Sequence, residues 1–181
     1  RDRVQTLPAR HAAFRPDRSY LISAGASGFG LEVARWMAAR GARNLVLLSR
    51  SGPKSDADRL AIETMREQGV AVLVAQADVS DLEATRRLVD RIQRELPPLA
   101  GVIHGAAVMD DASIPAMTMQ RFERVFYPKA QGAWNLHTAT ASSGANLDFF
   151  VLFSSISSVL GFVGQLNYAA ANFFQDALAQ Y

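Results

Sequence analysis

The chain has 181 residues, a length that fits one domain of ordinary size. Apolar residues make up 49% of it and charged residues 20%, a balance that excludes a disordered or fibrous protein. The chain contains no cysteine, so disulfides, thiolate nucleophiles and cysteine-based metal sites are excluded together.

The formal net charge is only +2, because 19 lysines and arginines are nearly balanced by 17 acids. The arginines alternate with acids and form no basic stripe, so we expect no nucleic-acid partner. No apolar run approaches the roughly 20 residues that a bilayer requires, and the first residues do not resemble a secretion signal. We therefore expect a cytoplasmic protein with no membrane partner and no bound metal.

Apolar runs and helical patterns alternate along the chain after an opening segment, 1–18, that we interpret as a linker or arm. The predicted strands cover residues 20–24, 44–49, 70–77, 99–105 and 147–154. Helical patterns begin near Leu31 and then cover residues 56–68, 81–95, 119–143 and 166–181, with Pro128 starting the second part of the long one. Strands that are apolar almost throughout and alternate with helices predict a single α/β domain whose parallel sheet is covered on both faces.

A glycine-rich loop joins the first predicted strand to the first helix, with the sequence Ser23-Ala-Gly25-Ala-Ser27-Gly28-Phe29-Gly30. Glycines allow the backbone to approach a pyrophosphate, and a helix N-terminus supplies free N–H groups and the positive end of a dipole. We interpret the loop as a dinucleotide-binding fingerprint, with a plain tight turn as the alternative.

Two positions at the carboxyl ends of predicted strands favour the same ligand. Arg50 follows Ser49 after the second strand, where an acid would bind the ribose of NAD and an arginine pairs with the 2′-phosphate of NADP. Asp78 ends the third strand, at the edge where a cofactor base would lie. The alternatives are a solvated charge for Arg50 and a helix N-cap for Asp78, although Ser80 or Asp81 suits a cap better.

The most specific pattern combines Ser155, Tyr168 and Asn172. Ser155 lies just past the fifth predicted strand, and Tyr168 and Asn172 share one helix face at a spacing of four. A tyrosine is a useful proton donor only where a cation stabilises the phenolate, and Lys129 lies in an apolar helical stretch of a chain that otherwise uses arginine almost everywhere. The alternative gives each residue a separate structural role: Ser155 as a cap, Tyr168 in the core, and Lys129 extending to solvent.

Together these segments resemble the short-chain dehydrogenase/reductases, and specifically the ketoreductase domain of type I polyketide synthases. The resemblance covers residues 19–181 and is carried by segments 20–30, 47–52, 102–107, 128–136, 153–155 and 168–172. Ordinary short-chain reductases have Tyr-x-x-x-Lys, whereas this chain has Tyr168-x-x-x-Asn172 and its lysine on an earlier helix. That exchange is typical of the polyketide synthase and animal fatty-acid synthase ketoreductases.

The resemblance implies a Rossmann-like, doubly wound fold with strand order 3-2-1-4-5 and a catalytic domain over residues 19–181. It implies that further C-terminal strands, a lid over the acyl chain and a preceding structural half lie outside this chain. The activity would be NADPH-dependent reduction of the 3-oxo group of an acyl thioester tethered to an acyl carrier protein, with neighbouring synthase domains as partners. The alternatives are a fatty-acid synthase ketoreductase, a free-standing short-chain reductase, and a structural or epimerising domain that does not reduce.

The resemblance also implies a role for each site residue. Tyr168 would be the general acid, Ser155 its hydrogen-bond partner, Lys129 the cation that supports the tyrosine and touches the nicotinamide ribose, and Asn172 a support of that network. Ala24 stands where the family usually has a glycine, and we expect its methyl group to crowd the turn and weaken cofactor binding. The implied cofactor-binding residues are Ser23, Gly25, Ser27, Gly28, Phe29, Gly30, Ser49, Arg50, Asp78, Val79, His104 and Ala106.

Three positions bear on the stereochemistry of reduction. Asp110 and Asp111, in Val108-Met-Asp-Asp111, resemble the Leu-Asp-Asp signature of B-type ketoreductases, with Met109 in place of leucine. A-type domains carry a tryptophan eight residues before the catalytic tyrosine, a position that is Leu160 here. Both markers imply a B-type domain and a D-configured 3-hydroxyacyl product. The alternative is that Asp110 and Asp111 form a solvated turn.

Overall fold

Five parallel strands form the centre of the structure, a computed structural model that describes residues 14–181. Their order in the sheet is β3-β2-β1-β4-β5, and every neighbouring pair is parallel. The α/β fold class and the strand order predicted from the sequence are therefore confirmed. The strands are β1 (Ser19–Ser23), β2 (Asn44–Ser49), β3 (Ala71–Gln76), β4 (Leu99–His104) and β5 (Phe149–Leu152).

Helices cover both faces of this sheet. They are α1 (Gly28–Ala39), α2 (Asp56–Glu67), α3 (Leu82–Glu95), α4 (Met119–Phe126), α5 (Gly132–Ser142), α6 (Ser157–Leu160) and α7 (Leu166–Leu178). A short 3₁₀ turn covers Ile114–Ala116. No helix in residues 14–181 is both long enough and apolar enough to cross a membrane.

The long helix predicted over residues 119–143 is interrupted in its middle. Between α4 and α5 the backbone forms a π-turn over Tyr127–Gln131. Pro128 has no N–H group to close an α-helical hydrogen bond, and the wider turn accommodates it. The sequence predicted that Pro128 starts a second part of this helical stretch, and the break does lie there; the irregular turn itself was not predicted, and it carries Lys129.

The core lies on both sides of the sheet, because alternate residues of the central strands point to opposite faces. In β1, Ile22 packs with α1 and α2, whereas Leu21 packs with α3 and α5. All five residues of β1 are buried, which explains why Tyr20, Leu21 and Ile22 follow one another without a polar residue between them.

The segment predicted as an arm lies partly outside the described residues, which begin at 14. Phe14 packs at the amino edge of the sheet, with its ring 5.3 Å from both the Tyr20 ring and the Trp36 ring, centroid to centroid. Its N–H group donates a hydrogen bond of 2.9 Å to the Arg40 carbonyl. Phe14 therefore packs against the domain predicted over residues 19–181.

Candidate active site

A cleft opens at the carboxyl ends of β1 to β4. Chain connections leave β1 and β4 toward opposite sides of the sheet, and this is the position where doubly wound folds bind ligands. The predicted cofactor-binding residues that line the cleft are Ser23, Ser27, Ser49, Arg50, Asp78, Val79 and Ala106. The lining also includes Ala24, Leu48, Ser51, Lys54, Ala77, Ala107, Val108 and Pro128, which the sequence did not single out as cofactor-binding.

The glycine-rich loop folds so tightly that side chains are excluded at two positions. A Cβ atom at Gly30 would lie 2.2 Å from the Ala24 carbonyl oxygen, and one at Gly25 would lie 2.7 Å from the Ile22 carbonyl oxygen. Gly28 has a φ of +54° and open space beside it. Ser27 caps α1 without a side-chain hydrogen bond, so its hydroxyl does not occupy the first N–H groups of that helix. The loop and helix end therefore fit an anionic group such as a pyrophosphate.

Ala24 adopts a left-handed backbone conformation, with a φ of +55°. A residue with a Cβ atom is less stable there than glycine, by about 1–2 kcal/mol. The sequence predicted that the Ala24 methyl group crowds the turn. The structure adds an unfavourable backbone conformation at the same residue, which lines the cleft.

Two exposed cations, Arg50 and Lys54, lie in the cleft lining after β2. Neither forms an ion pair with a carboxylate of residues 14–181. Ser49, the last residue of β2, fixes the turn that carries these cations, because its hydroxyl accepts a 2.8 Å hydrogen bond from the Gly52 N–H. The sequence analysis did not identify Lys54 as a cleft residue, although it is one of only two lysines and follows Arg50 by four residues.

The Asp78 carboxylate stiffens the loop after β3. It accepts hydrogen bonds from the N–H of Ser80, at 2.9 Å, and from the hydroxyl of Ser80, at 2.5 Å. Asp81, not Asp78, caps α3 by accepting a hydrogen bond from the Ala84 N–H. Asp78 is therefore part of the cleft wall and not the helix cap.

Lys129 and Tyr168 meet at the same edge of the sheet. The Lys129 side chain is only 2% exposed, and its Nζ donates a 2.6 Å hydrogen bond to the Phe153 carbonyl. The Nζ atom lies 5.3 Å from the centre of the Tyr168 ring. Burial lowers the pKa of Lys129 to about 8. The ammonium is therefore poised to lose its proton just above neutral pH.

Asn172 is hydrogen-bonded to Tyr168, and Ser155 is linked to Asn172 by way of Ser157. The Asn172 Nδ2 donates to the Tyr168 carbonyl at 2.8 Å and to the Ser157 hydroxyl at 3.3 Å. Its Oδ1 is buried and has no hydrogen-bond partner among the described residues. The Ser155 hydroxyl accepts from the Ser157 N–H at 3.2 Å, which leaves its own proton to donate.

The remaining predicted cofactor residues lie at the rim of the cleft or beneath it. Phe29 is exposed and packs on Phe153, with ring centroids 5.2 Å apart. His104 is fully buried and does not line the cleft, so the structure gives it no contact surface for a cofactor.

The model of the KR domain family matches residues 18–181. The chain belongs to this family of polyketide synthase ketoreductases. It is 43% identical over 173 residues to reducing polyketide synthase PKS1 of Cochliobolus heterostrophus and 44% identical over 182 residues to highly reducing polyketide synthase sor1 of Hypocrea jecorina. The matches cover 96% and 98% of this chain but only 7% of each relative.

Solved ketoreductases have the same fold as this ketoreductase domain. A ketoreductase domain from the bacillaene assembly line matches with a TM-score of 0.89 and 38% identity, over 97% of this chain and 42% of that one. An N-terminal ketoreductase from the macrolactin assembly line matches with a TM-score of 0.86 and 34% identity, over 95% and 35%. An A-type ketoreductase from a modular synthase matches with a TM-score of 0.85 and 37% identity, over 96% of this chain and 36% of that one. Ketoreductase domains of this superfamily use nicotinamide cofactors, and they reduce a β-keto group.

The segment predicted to control stereochemistry is anchored within the ketoreductase domain. The Asp110 side chain is only 12% exposed and forms ion pairs with Arg121, at 3.3 Å, and Arg124, at 3.4 Å. The Asp111 carboxylate accepts a 3.1 Å hydrogen bond from Gln165 Nε2. This arrangement excludes the alternative of a solvated turn for Asp110. Leu160 is exposed at the end of α6.

Proposed function

We propose that this ketoreductase domain uses NADPH to reduce the 3-oxo group of a polyketide intermediate held on an acyl carrier protein, and that it gives a D-configured 3-hydroxyacyl product. The observation that carries the proposal is the position of the Lys129 ammonium beside the Tyr168 ring, at the same sheet edge as the cleft lined by Arg50. The catalytic domain covers residues 19–181, and the carrier protein and neighbouring synthase domains are its partners.

The cleft offers a set of residues for each part of the cofactor. The glycine-rich loop and the N-terminus of α1 hold the pyrophosphate, because their N–H groups and helix dipole favour an anion. Arg50 would bind the 2′-phosphate, and Asp78 and Val79 would contact the adenine. When bound, NADPH supplies the hydride that adds to the ketone carbon.

The side chains of the domain supply the proton. The Tyr168 hydroxyl gives its proton to the ketone oxygen, while the Ser155 hydroxyl donates a hydrogen bond to the same oxygen. The Lys129 ammonium stabilises the phenolate that remains on Tyr168. Asn172 fixes the main chain at Tyr168 through the 2.8 Å hydrogen bond to its carbonyl.

The test follows NADPH oxidation by the purified protein with a simple 3-oxoacyl thioester. We expect Tyr168→Phe to lower kcat by about 10²–10⁴-fold, the usual contribution of general acid catalysis, with NADPH affinity unchanged. Tyr181→Phe is the matched control and keeps the parent rate, because that side chain is 88% exposed at the chain end. Reduction by the Tyr168→Phe variant at the parent rate would refute the proposal.

A further inference from the structure

His104 is a buried, potentially charged side chain to which the proposed reaction gives no role. It ends β4, is paired in register with Ser23 at the end of β1, and is fully inaccessible to solvent. The ring is also tightly enclosed, since a Cβ atom at Gly132 would lie 3.1 Å from its Cε1 atom. Because the ring has little room to move, it fixes the positions of the groups that are hydrogen-bonded to it.

The hydrogen bonds around His104 fix its tautomer. Its Nε2 lies 2.9 Å from the Lys129 carbonyl oxygen, which can only accept, so Nε2 carries the proton. Its Nδ1 therefore accepts the hydroxyl proton of Ser23, at 2.7 Å. The Ser23 oxygen in turn accepts from the N–H groups of Gly105 and Ala106, at 3.1 and 3.3 Å. The donors in this series of hydrogen bonds therefore point one way, from the loop after β4 through Ser23 and His104 to the Lys129 carbonyl.

The neutral ring is the stable form. Burial lowers the pKa of His104 to about 4, and the Lys129 charge acts in the same direction. The charged groups that face the cluster are Lys129 from the π-turn and Asp176 from α7. The imidazole therefore keeps a single proton, on Nε2, across the neutral pH range.

The Lys129 carbonyl also accepts a hydrogen bond from Gln175 Nε2 on α7, at 3.1 Å, and one from the backbone N–H of Gly132. Lys129 lies in the π-turn of Tyr127–Gln131, which departs from regular α-helical geometry. The ammonium end of the Lys129 side chain is held by the 2.6 Å hydrogen bond from Nζ to the Phe153 carbonyl. The residue is thus restrained at both ends, and His104 and Gln175 restrain the backbone end.

We propose that His104 is a positioning residue, which with the help of Gln175 holds the Lys129 backbone so that its ammonium stays beside Tyr168. The inference rests on the proposed function, because it gives the position of the Lys129 ammonium a role in reduction. It assigns His104 to the support of Lys129 rather than to the cofactor, since both ring nitrogens are already bonded to protein atoms.

The first test compares His104→Leu with His104→Gln, whose amide N–H can replace Nε2–H. We expect His104→Leu to lower kcat by roughly ten- to a hundredfold, the effect of misplacing a catalytic group by about 1 Å, with the KM for NADPH within about twofold of the parent. His104→Gln restores most of the rate. His137→Leu is the control, because that imidazole lies on α5 and is not bonded to Lys129. If His104→Leu raised the KM for NADPH and left kcat unchanged, the proposal would be overturned. Equal losses of kcat in folded His104→Leu and His104→Gln variants would also overturn it.

The second test does not depend on activity. The chain contains only two lysines, so protein labelled with ¹³C at lysine Cε gives two NMR signals. Exposed Lys54 serves as the internal reference. In His104→Leu the titration of Lys129 moves upward from about pH 8, because the freed ammonium approaches solvent. An unchanged titration in a folded variant would overturn the proposal even if the parent proved unable to reduce. If His104→Leu does not fold, Gln175→Leu removes the other side-chain donor and is measured in the same way.

Discussion

Lys129 Nζ lies 5.3 Å from the centre of the Tyr168 ring, although the two residues belong to separate helical segments. One turn after Tyr168, on the same face of α7, stands Asn172, which carries no charge. The cation must therefore come from another element, and the π-turn before α5 supplies it. The pairing of cation and phenol depends on how α7 packs against that turn and not on spacing within one helix.

The first prediction is that reduction slows as pH rises through about 8. Burial lowers the pKa of Lys129 to about 8, so its ammonium loses the proton there. A neutral amine no longer stabilises the phenolate that forms when Tyr168 gives up its proton, so kcat falls on the alkaline side. The measurement is kcat against pH with saturating NADPH, with circular dichroism at each pH to confirm folding. Lys129→Met should be slow throughout, and a parent kcat that stays constant from pH 7 to 10 would contradict the prediction.

The second prediction concerns the choice of cofactor. Arg50→Ala and Lys54→Ala should each raise the KM for NADPH by about tenfold or more and leave the KM for NADH unchanged. A charge-assisted hydrogen bond to a phosphate contributes about 1.5–3 kcal/mol, and NADH has no 2′-phosphate to receive it. Both KM values are measured for each variant.

The control for the cofactor prediction is Arg35→Ala. Arg35 is an exposed arginine on α1 that pairs with Glu32 at 2.9 Å, and the cleft does not include it. Equal losses with NADPH and NADH would show that the two cations support the fold of the loop and not the phosphate.

The third prediction is that Ala24→Gly stabilises the protein. Glycine adopts the φ of +55° without the unfavourable contact that a Cβ atom makes, which stabilises the folded state. Glycine also gives the unfolded chain more conformational freedom, which offsets part of this stabilisation. The net effect should be about 0.5–1 kcal/mol, which corresponds to a rise in Tm of about 2–4 °C for each kcal/mol in a chain of this size. NADPH affinity should also rise, because Ala24 lines the cleft.

Ala26→Gly is the matched control for Ala24→Gly. Ala26 lies two residues along the same loop, is fully buried and does not have a positive φ, so glycine there lowers the Tm. A fall in Tm for both variants would mean that the backbone at Ala24 is not strained.

The sheet could be predicted because its signals are local. The run Leu45–Leu48 within β2 is apolar throughout, and the glycine-rich loop after β1 marks where a strand becomes a helix. The positions of Tyr168 and Asn172 on one helix face follow from a spacing of four, and α7 is observed where the pattern predicted it.

The parts that were missed depend on contacts between distant residues. The π-turn at Lys129 is stabilised from β4 and α7, through His104 and Gln175, and no local pattern reveals those partners. Phe14 has no periodic neighbours in sequence, yet it packs on Tyr20 and Trp36. The short helix α6, Ser157–Leu160, is only four residues long, which is too short for a helical period to be recognised.

The anchored acidic segment is the basis of the stereochemical prediction. Asp110 is bonded to Arg121 and Arg124 of α4, and the Asn167 amide of α7 donates to its carbonyl at 2.9 Å. Asp111 accepts from Gln165, three residues before Tyr168. The two segments are therefore joined into one wall next to the proposed proton donor, and we expect a change in either one to alter the path of an acyl arm.

The last prediction is that the product has the D configuration. We expect this wall to restrict the acyl arm to one side of the groove, so that one face of the ketone meets the hydride; a difference of about 1.4 kcal/mol between the two approaches gives tenfold selectivity. Chiral chromatography of the product from a simple 3-oxoacyl thioester, and then from a carrier-bound one, measures the ratio. Asp111→Ala should lower this ratio more than the total rate, because it releases the wall from Gln165 without touching Tyr168, Ser155 or Lys129. A predominantly L product from the parent would show that the acidic segment anchors the fold without directing the substrate.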